Sequence, residues 1–326
     1  MPNLFITGAN GFLGLNIVEQ ACKNDYRVIG LIEPGADRKY LDRFSIEVVE
    51  GDVCDLNALR AAVPRNADAV IHTAASTSLW SRNNERQTRV NVDGTRILCQ
   101  ACLEAGVKRV VHTSTWNTYG LGHKEISEAT PQTGGLSSIN YVRSKFLAEE
   151  EVRACVARGL SAVILNPCHI IGRYDTRNWA RMFGMIRREA VPGNPRTYGS
   201  FCHAEAVAQA HLAAIEHGHP GENYLLPGIV ATFAEVLSVI AELVGKPKPT
   251  REVPMQLVRL VSHLKVAIAA LTGREPELTP EGVSLMANEP RISSTKAQRD
   301  LGYRVVPLRI MLEDSYRWLA AEGFLT

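Results

Sequence analysis

Tyr141 and Lys145 stand four residues apart in Tyr141-Val142-Arg143-Ser144-Lys145, a spacing that stacks both on one face of a helix. The chemistry open to such a pair is proton transfer. A tyrosine hydroxyl with its ordinary pKa of about 10 is a poor base at neutral pH, and a nearby ammonium lowers that value. The lysine can also hold a nucleotide ribose. Taken alone, the same spacing suits a solvated helix face, so its neighbours matter. Upstream runs Thr113-Ser114-Thr115-Trp116-Asn117-Thr118-Tyr119-Gly120, at the end of an apolar stretch. A hydroxyl at the C-terminal end of a strand can hydrogen-bond a substrate carbonyl while the tyrosine supplies the proton.

A third motif, Thr7-Gly8-Ala9-Asn10-Gly11-Phe12-Leu13-Gly14, opens the chain. Three glycines at three-residue spacing between an apolar run and a helical pattern permit a tight turn and close approach of a pyrophosphate. The following helix then offers its unpaired N–H groups to the phosphates. Glu33 lies 25 residues beyond Gly8, placed to accept hydrogen bonds from an adenosine ribose and to repel the extra phosphate of NADP. Arg38 and Lys39 follow closely enough to reach a phosphate. NAD is therefore the favoured cofactor and NADP the alternative. Asp52 and Val53 suit the adenine edge, although Asp52 would serve equally as a helix cap. Thr73, Ala74 and Ala75 follow the next apolar run, and the two alanines are small enough to let backbone approach the dinucleotide.

These motifs need a scaffold, and the apolar pattern describes one. Strand-like runs at residues 4–7, 27–32, 46–50, 69–72, 109–113 and 161–166 alternate with helical stretches at 11–23, 56–62, 91–104 and 140–158. Such alternation predicts right-handed βαβ units in a doubly wound parallel α/β sheet. After residue 166 proline and glycine become frequent, with helices expected at 200–215 and 231–244. The expected division is a dinucleotide-binding domain at 1–166 and a smaller substrate lobe at 167–326, with chain crossing back near 200–230. In the lobe, Leu257, Val261, Leu264, Ile268 and Leu271 mark one face of a helix. That face is expected to pack on its own protein; a lid over an apolar pocket or a membrane-surface contact is the sharper option.

Bulk properties narrow the partners. A net charge of +2 argues against a nucleic-acid partner. Seven cysteines without regular spacing argue against a disulfide framework and for a reducing compartment. Cys99 and Cys102 form a CxxC inside a helical pattern, read as packing, and no metal site is expected. The N-terminus lacks the pattern of a signal peptide and no integral membrane segment is expected, so the expected location is the cytoplasm.

Together the three motifs resemble the extended short-chain dehydrogenases/reductases, the NAD-dependent epimerase/dehydratase group. The resemblance covers nearly the whole chain. It includes Asn91-Val92-Asp93-Gly94-Thr95, Asn166-Pro167 before Gly172, Phe201-Cys202-His203-Ala204-Glu205-Ala206-Val207-Ala208, and Ser294-Thr295-Lys296-Ala297 before Leu301-Gly302-Tyr303. The later motifs are most similar to dihydroflavonol-reductase-like and hopanoid-associated epimerase-like members. The resemblance implies a Rossmann-type domain, with Thr115 and Tyr141 as catalytic groups and Lys145 as ribose anchor. It implies that Pro167, Cys168 and His169 line the nicotinamide. His203 and Asn91 are expected to be structural, Glu205 replaces the family's usual aspartate, and a homodimer is implied by analogy.

Dehydratases of the group carry an acidic pair after the catalytic threonine. Here those positions hold Trp116 and Asn117, so elimination lacks its acid and base. Arg173, Arg177, Arg181, Arg187 and Arg188 could hold a sugar nucleotide's diphosphate, or form a solvated helix face. Against a sugar nucleotide stand Leu79, Trp80, Trp116 and Trp179, which with Asn117 are expected to line the substrate site. The expectation is a hydride transfer between a nicotinamide and a secondary alcohol/ketone or aldehyde, on a hydrophobic or aryl small molecule. A nucleotide-sugar epimerase working through a transient ketone is the alternative. A non-catalytic dinucleotide sensor would be expected to lack the tyrosine or the lysine.

Overall fold

The computed structural model describes residues 1–325. Seven parallel strands form the central sheet: β1 (Asn3–Thr7), β2 (Arg27–Ile32), β3 (Glu47–Glu50), β4 (Ala69–His72), β5 (Val110–Thr113), β6 (Ala162–Pro167) and β7 (Asn223–Leu226). Their order is β7-β6-β5-β4-β1-β2-β3. The direction reverses beside β1, where Leu4 pairs with Val28 on one side and Ala69 on the other. That reversal opens a crevice at the carboxyl ends of the strands.

Alternation along each strand divides the core in two. Leu4, Ile6, Ile71, Val111 and Leu165 pack beneath the helices Phe12–Lys23 and Ala204–His217. Phe5, Val70, Val110 and Ile164 pack beneath Gly94–Ala105 and Asn140–Ala157 on the opposite face. Cys99 and Cys102 belong to that second layer, and all seven thiols are free. A third cluster, with Phe183, Phe201, Val236, Ile240 and Met311, builds the lobe.

Four elements differ from expectation. Residues 200–203 are strand, not helix: Tyr198–His203 pairs in parallel with His169–Ile171, and the helix begins only at Ala204. Residues 231–232 likewise belong to the strand Ile229–Thr232, antiparallel to Tyr198–His203. Thr232 and Glu235 then form a reciprocal capping box that fixes the next helix at Phe233. The helix expected from 91 starts at Asn84 and passes through a wide turn at Arg89–Asp93. The face of Met255–Thr272 expected to pack inward is the fourth difference: Leu257, Val261, Leu264, Ile268 and Leu271 are all exposed.

Three histidines are sealed into the sheet region. His72 sits between Thr7 Oγ1 and Thr95 Oγ1, at 2.7 and 3.1 Å. His211 lies between Thr113 Oγ1 and the Val207 carbonyl, both at 2.8 Å. Neither ring nitrogen of buried His112 has a partner. Burial holds all three neutral, with His72 pushed down to about 3 and His211 to about 4. The unfolded chain, with histidine near 6.5, therefore takes up protons first, and stability is lost as pH falls from 6.5 toward 4. For His211 the loss reaches about 2 kcal/mol by pH 5. Urea unfolding of wild type and His211→Gln between pH 7 and 5 is expected to show the variant flatter by that amount; parallel curves would refute it.

Candidate active site

A cleft of about 1240 Å³ runs over the carboxyl ends of the strands. At one end Gly8, Asn10 and Gly11 form its wall. Gly8 has φ +66°, and a Cβ there would lie 2.8 Å from the Ala74 nitrogen. Gly14 admits the closest approach: a Cβ would stand 2.1 Å from the Gly8 carbonyl oxygen. Phe12, Leu13 and Gly14 thus begin the helix and shape the turn without lining the cleft. No side chain caps that helix and its first turn carries no carboxylate. Free N–H groups and an unopposed positive dipole end at a glycine turn fit the pyrophosphate of NAD.

Further along, Glu33, Asp52 and Val53 line the cleft, as do Thr73, Ala74 and Ala75. Thr73 donates to the Thr7 carbonyl at 2.7 Å, tying the ends of β4 and β1 together. Asp52 is not a helix cap; Asp55 caps the next helix, while Asp52 accepts from the Cys54 N–H and pairs with Arg89 at 3.0 Å. Glu33 pairs with Arg86 at 3.2 Å. Arg38 is engaged by Asp42 at 2.8 Å and Lys39 leans toward Glu322 at 3.9 Å. The cation beside Glu33 is thus Arg86, from a helix 53 residues away.

At the middle of the cleft Thr115 and Tyr141 both line the wall, close enough for the threonine hydroxyl to act on the tyrosine. Thr115 lies two residues past β5 and caps the short turn Trp116–Tyr119. Asn117 Nδ2 donates to Thr115 Oγ1 at 3.1 Å, so the threonine proton remains free to point elsewhere. Tyr141 lies in the first turn of Asn140–Ala157, with Lys145 one turn on. The lysine's hydrogen bond goes to the main chain. Its ammonium donates to the Thr113 carbonyl at 2.6 Å, and burial lowers it to about 8 against the pull of Glu149. Burial raises the Tyr141 hydroxyl, and the neighbouring Thr115 hydroxyl opposes that rise.

Two positioning devices surround this pair. Asn91 clasps Ser76 through both main-chain groups, N–H at 2.8 Å and carbonyl at 3.0 Å, and donates to Ser144 Oγ at 3.0 Å. The wide turn around Asn91 is what lets its amide reach the loop after β4. Glu149, fully buried, was not singled out by its sequence context. It accepts from Ser114, Asn166, Gln132, Arg153 and Asn223. Apart from Arg153, one turn along the same helix, these donors come from four separate parts of the chain, and no local motif announces them.

On the substrate side Leu79, Trp116, Asn117 and Trp179 face the cleft, with Cys168 and His169 opposite. His169 meets Trp179 edge-on, 6.0 Å between rings. Pro167 and Trp80 do not line it. Pro167 ends β6 as its last buried residue, and Trp80 is 92% buried, its ring under the Arg82 guanidinium at 5.5 Å. Chain direction explains Trp80: with Leu79 turned inward, its neighbour turns away. Met182, Phe233, Leu285 and Met286 complete the apolar wall, and Glu275 and Glu277 add carboxylates.

The five arginines separate. Arg173 is held by Asp314, Glu19 and Glu205 outside the cleft, with His203 joining Asp314 at 3.2 Å. Arg187 and Arg188 do not reach it. Arg181 does, but pairs with Glu277 at 3.0 Å. Of the five, only Arg177 faces the cleft without an ion-pair partner among the described residues.

Comparison with known proteins agrees with this geometry. Sterol demethylase protein B of Methylococcus capsulatus is 29% identical over 333 residues, covering 98% of this chain and 99% of that protein. A ketoreductase of Stigmatella aurantiaca, named for 4-hydroxy-2-methyl-3-oxo-4-farnesyl-3,4-dihydroquinoline-1-oxide, is 28% identical, covering 92% and 91%. The crystal structure of gox2253 superposes with a TM-score of 0.84 at 28% identity over 99% of both chains. Residues 4–226, from β1 to the end of β7, match a single family description. The chain is a member of the NAD dependent epimerase/dehydratase family, an enzyme of the extended short-chain dehydrogenase/reductase type that uses NAD.

Proposed function

We propose that this enzyme interconverts a hydrophobic or aryl ketone or aldehyde and its alcohol. NAD, when bound, supplies or accepts the hydride at its nicotinamide. Thr115 then orients the substrate oxygen, and Tyr141 gives or takes the proton at that oxygen. Lys145, freed from the Thr113 carbonyl, holds the ribose, and Cys168 and His169 border the nicotinamide. Trp116, Trp179 and Leu79 contact the apolar body of the substrate. Seven free thiols suit the reducing cytoplasm.

The observation that carries this reading is the charge of the substrate wall. A diphosphate needs converging cations, whereas here Arg181 is held by Glu277, Glu275 adds a second carboxylate, and of the five arginines Arg177 alone is unpaired at a wall of aromatic and aliphatic side chains. The ketoreductase relative, whose printed name carries a farnesyl group, lends the same direction.

The test is absorbance at the reduced-nicotinamide band with a panel of apolar carbonyl compounds, followed by UDP-sugars. Net oxidation of NADH with the apolar panel is the expected result. Exchange of sugar stereochemistry without net cofactor change would overturn it in favour of an epimerase. Cofactor choice has its own test. Glu33→Ala removes the carboxylate and leaves Arg86 beside the ribose; kcat/KM with NADH is expected to fall about 10- to 100-fold while that with NADPH rises. An unchanged preference would remove Glu33 from the ribose site.

A further inference from the structure

The helix Met255–Thr272 takes no part in the chemistry above. Its 18 residues include no Asp or Glu. Only Ser262 and Ala269 are buried. Leu257, Leu260, Val261, Leu264, Ile268 and Leu271 stand 37% to 90% exposed, six of the fifteen exposed large hydrophobic residues among those described. At 100° per residue all six fall within an arc of about 100°. Scattered apolar side chains on a surface are ordinary, but a continuous stripe of this kind marks a contact.

We propose that this stripe docks the enzyme on an anionic bilayer, the helix lying in the interfacial plane with its apolar arc in the acyl boundary. Charge selects this occupant. From Lys246 to Arg274 the chain has six lysines and arginines and one carboxylate; Glu189, Glu242 and Glu277 hold Lys246, Lys248 and Lys265, and Arg196 holds Glu252. Arg251, Arg259 and Arg274 have no ion-pair partner among the described residues. Acidic headgroups satisfy Arg251 and Arg274, which flank the two ends of the helix, while leucines enter the hydrocarbon edge. A second copy docked on the same stripe would instead bring cations against cations.

The helix lies on the membrane and does not cross it. Arg259, His263 and Lys265 interrupt its apolar sequence, Ser262 and Ala269 rest against the protein, and Lys265 is tied to Glu277 at 3.3 Å. Lying flat it covers about 27 Å. Beyond Gly273 the chain passes directly into the cleft wall at residues 275–279 and the helix Pro280–Met286. Docking there brings the cleft's wall to the lipid surface.

The experiment is co-sedimentation of the full chain with vesicles of phosphatidylcholine, with and without phosphatidylglycerol. Wild type is expected to sediment with the anionic vesicles and much less with the neutral ones. Leu260→Ser/Leu264→Ser/Ile268→Ser is expected to lose about tenfold or more in partitioning, with unchanged melting and unchanged turnover of a water-soluble carbonyl compound. Arg251→Glu/Arg274→Glu should weaken binding to anionic vesicles alone. Wild type left in the supernatant with anionic vesicles, or a leucine variant that sediments like wild type, overturns the proposal. So does a dimer in sedimentation velocity that the leucine substitutions abolish while vesicles bind nothing. Because binding is read without turnover, its failure leaves the carbonyl chemistry standing, and the reverse.

Discussion

Tyr141→Phe is expected to lower kcat and kcat/KM together by about 10²- to 10⁴-fold, the usual contribution of a positioned acid or base. The argument rests on what phenylalanine retains. The aromatic ring keeps its volume, so the helix at Asn140–Ala157 and the cleft wall are undisturbed. What disappears is the hydroxyl beside Thr115, the titratable group that acts with that threonine at the cleft. NAD affinity, measured by quenching of protein fluorescence, should change little, because the glycine turn, Glu33 and Lys145 are untouched. Turnover within about tenfold of wild type would remove Tyr141 from the proton-transfer role. A matching loss of NAD affinity would assign it to binding instead.

Glu149 is expected to have the largest effect on stability, about 3–5 kcal/mol for Glu149→Leu, the cost of breaking a buried ion pair from one side. Its partner Arg153 is 31% exposed while Glu149 is fully buried. The instructive variant is Glu149→Gln. One carboxylate oxygen accepts from Ser114 and Asn166; the other accepts from Gln132, Arg153 and Asn223. Turning either oxygen into an NH₂ group points donors at donors. The isosteric amide is therefore expected to lose most of what leucine loses. Urea unfolding at neutral pH measures both, and a glutamine variant within about 1 kcal/mol of wild type would contradict the all-acceptor requirement. Because Ser114 precedes Thr115, the same variants should also lower kcat in the fraction that remains folded.

Much of the chemistry was legible in order along the chain because its signals are local. Strand alternation, the glycine turn at Gly8–Gly11–Gly14 and the four-residue step from Tyr141 to Lys145 are each set within a few residues. Backbone sterics and helix periodicity act at that range. The parallel sheet follows, since short βαβ connections leave few other topologies. Where local pattern competed with pairing, pairing prevailed: residues 200–203 carry a helical pattern into a strand because His169–Ile171 offers them a partner.

What needed the tertiary structure was everything decided by direction and by distant partners. Lys145 has the right spacing to act on Tyr141, and its buried ammonium donates to the Thr113 carbonyl at the end of β5. Trp80 and Leu79 are neighbours in sequence, yet only one can face the cleft. Five arginines looked alike until Arg173 met Asp314 and Arg181 met Glu277, which removed the cations a diphosphate would need. The apolar face of Met255–Thr272 was visible as a period of leucines, and only folding left it facing outward. Periodicity specifies which side chains share a face; the balance of burial elsewhere decides what that face meets.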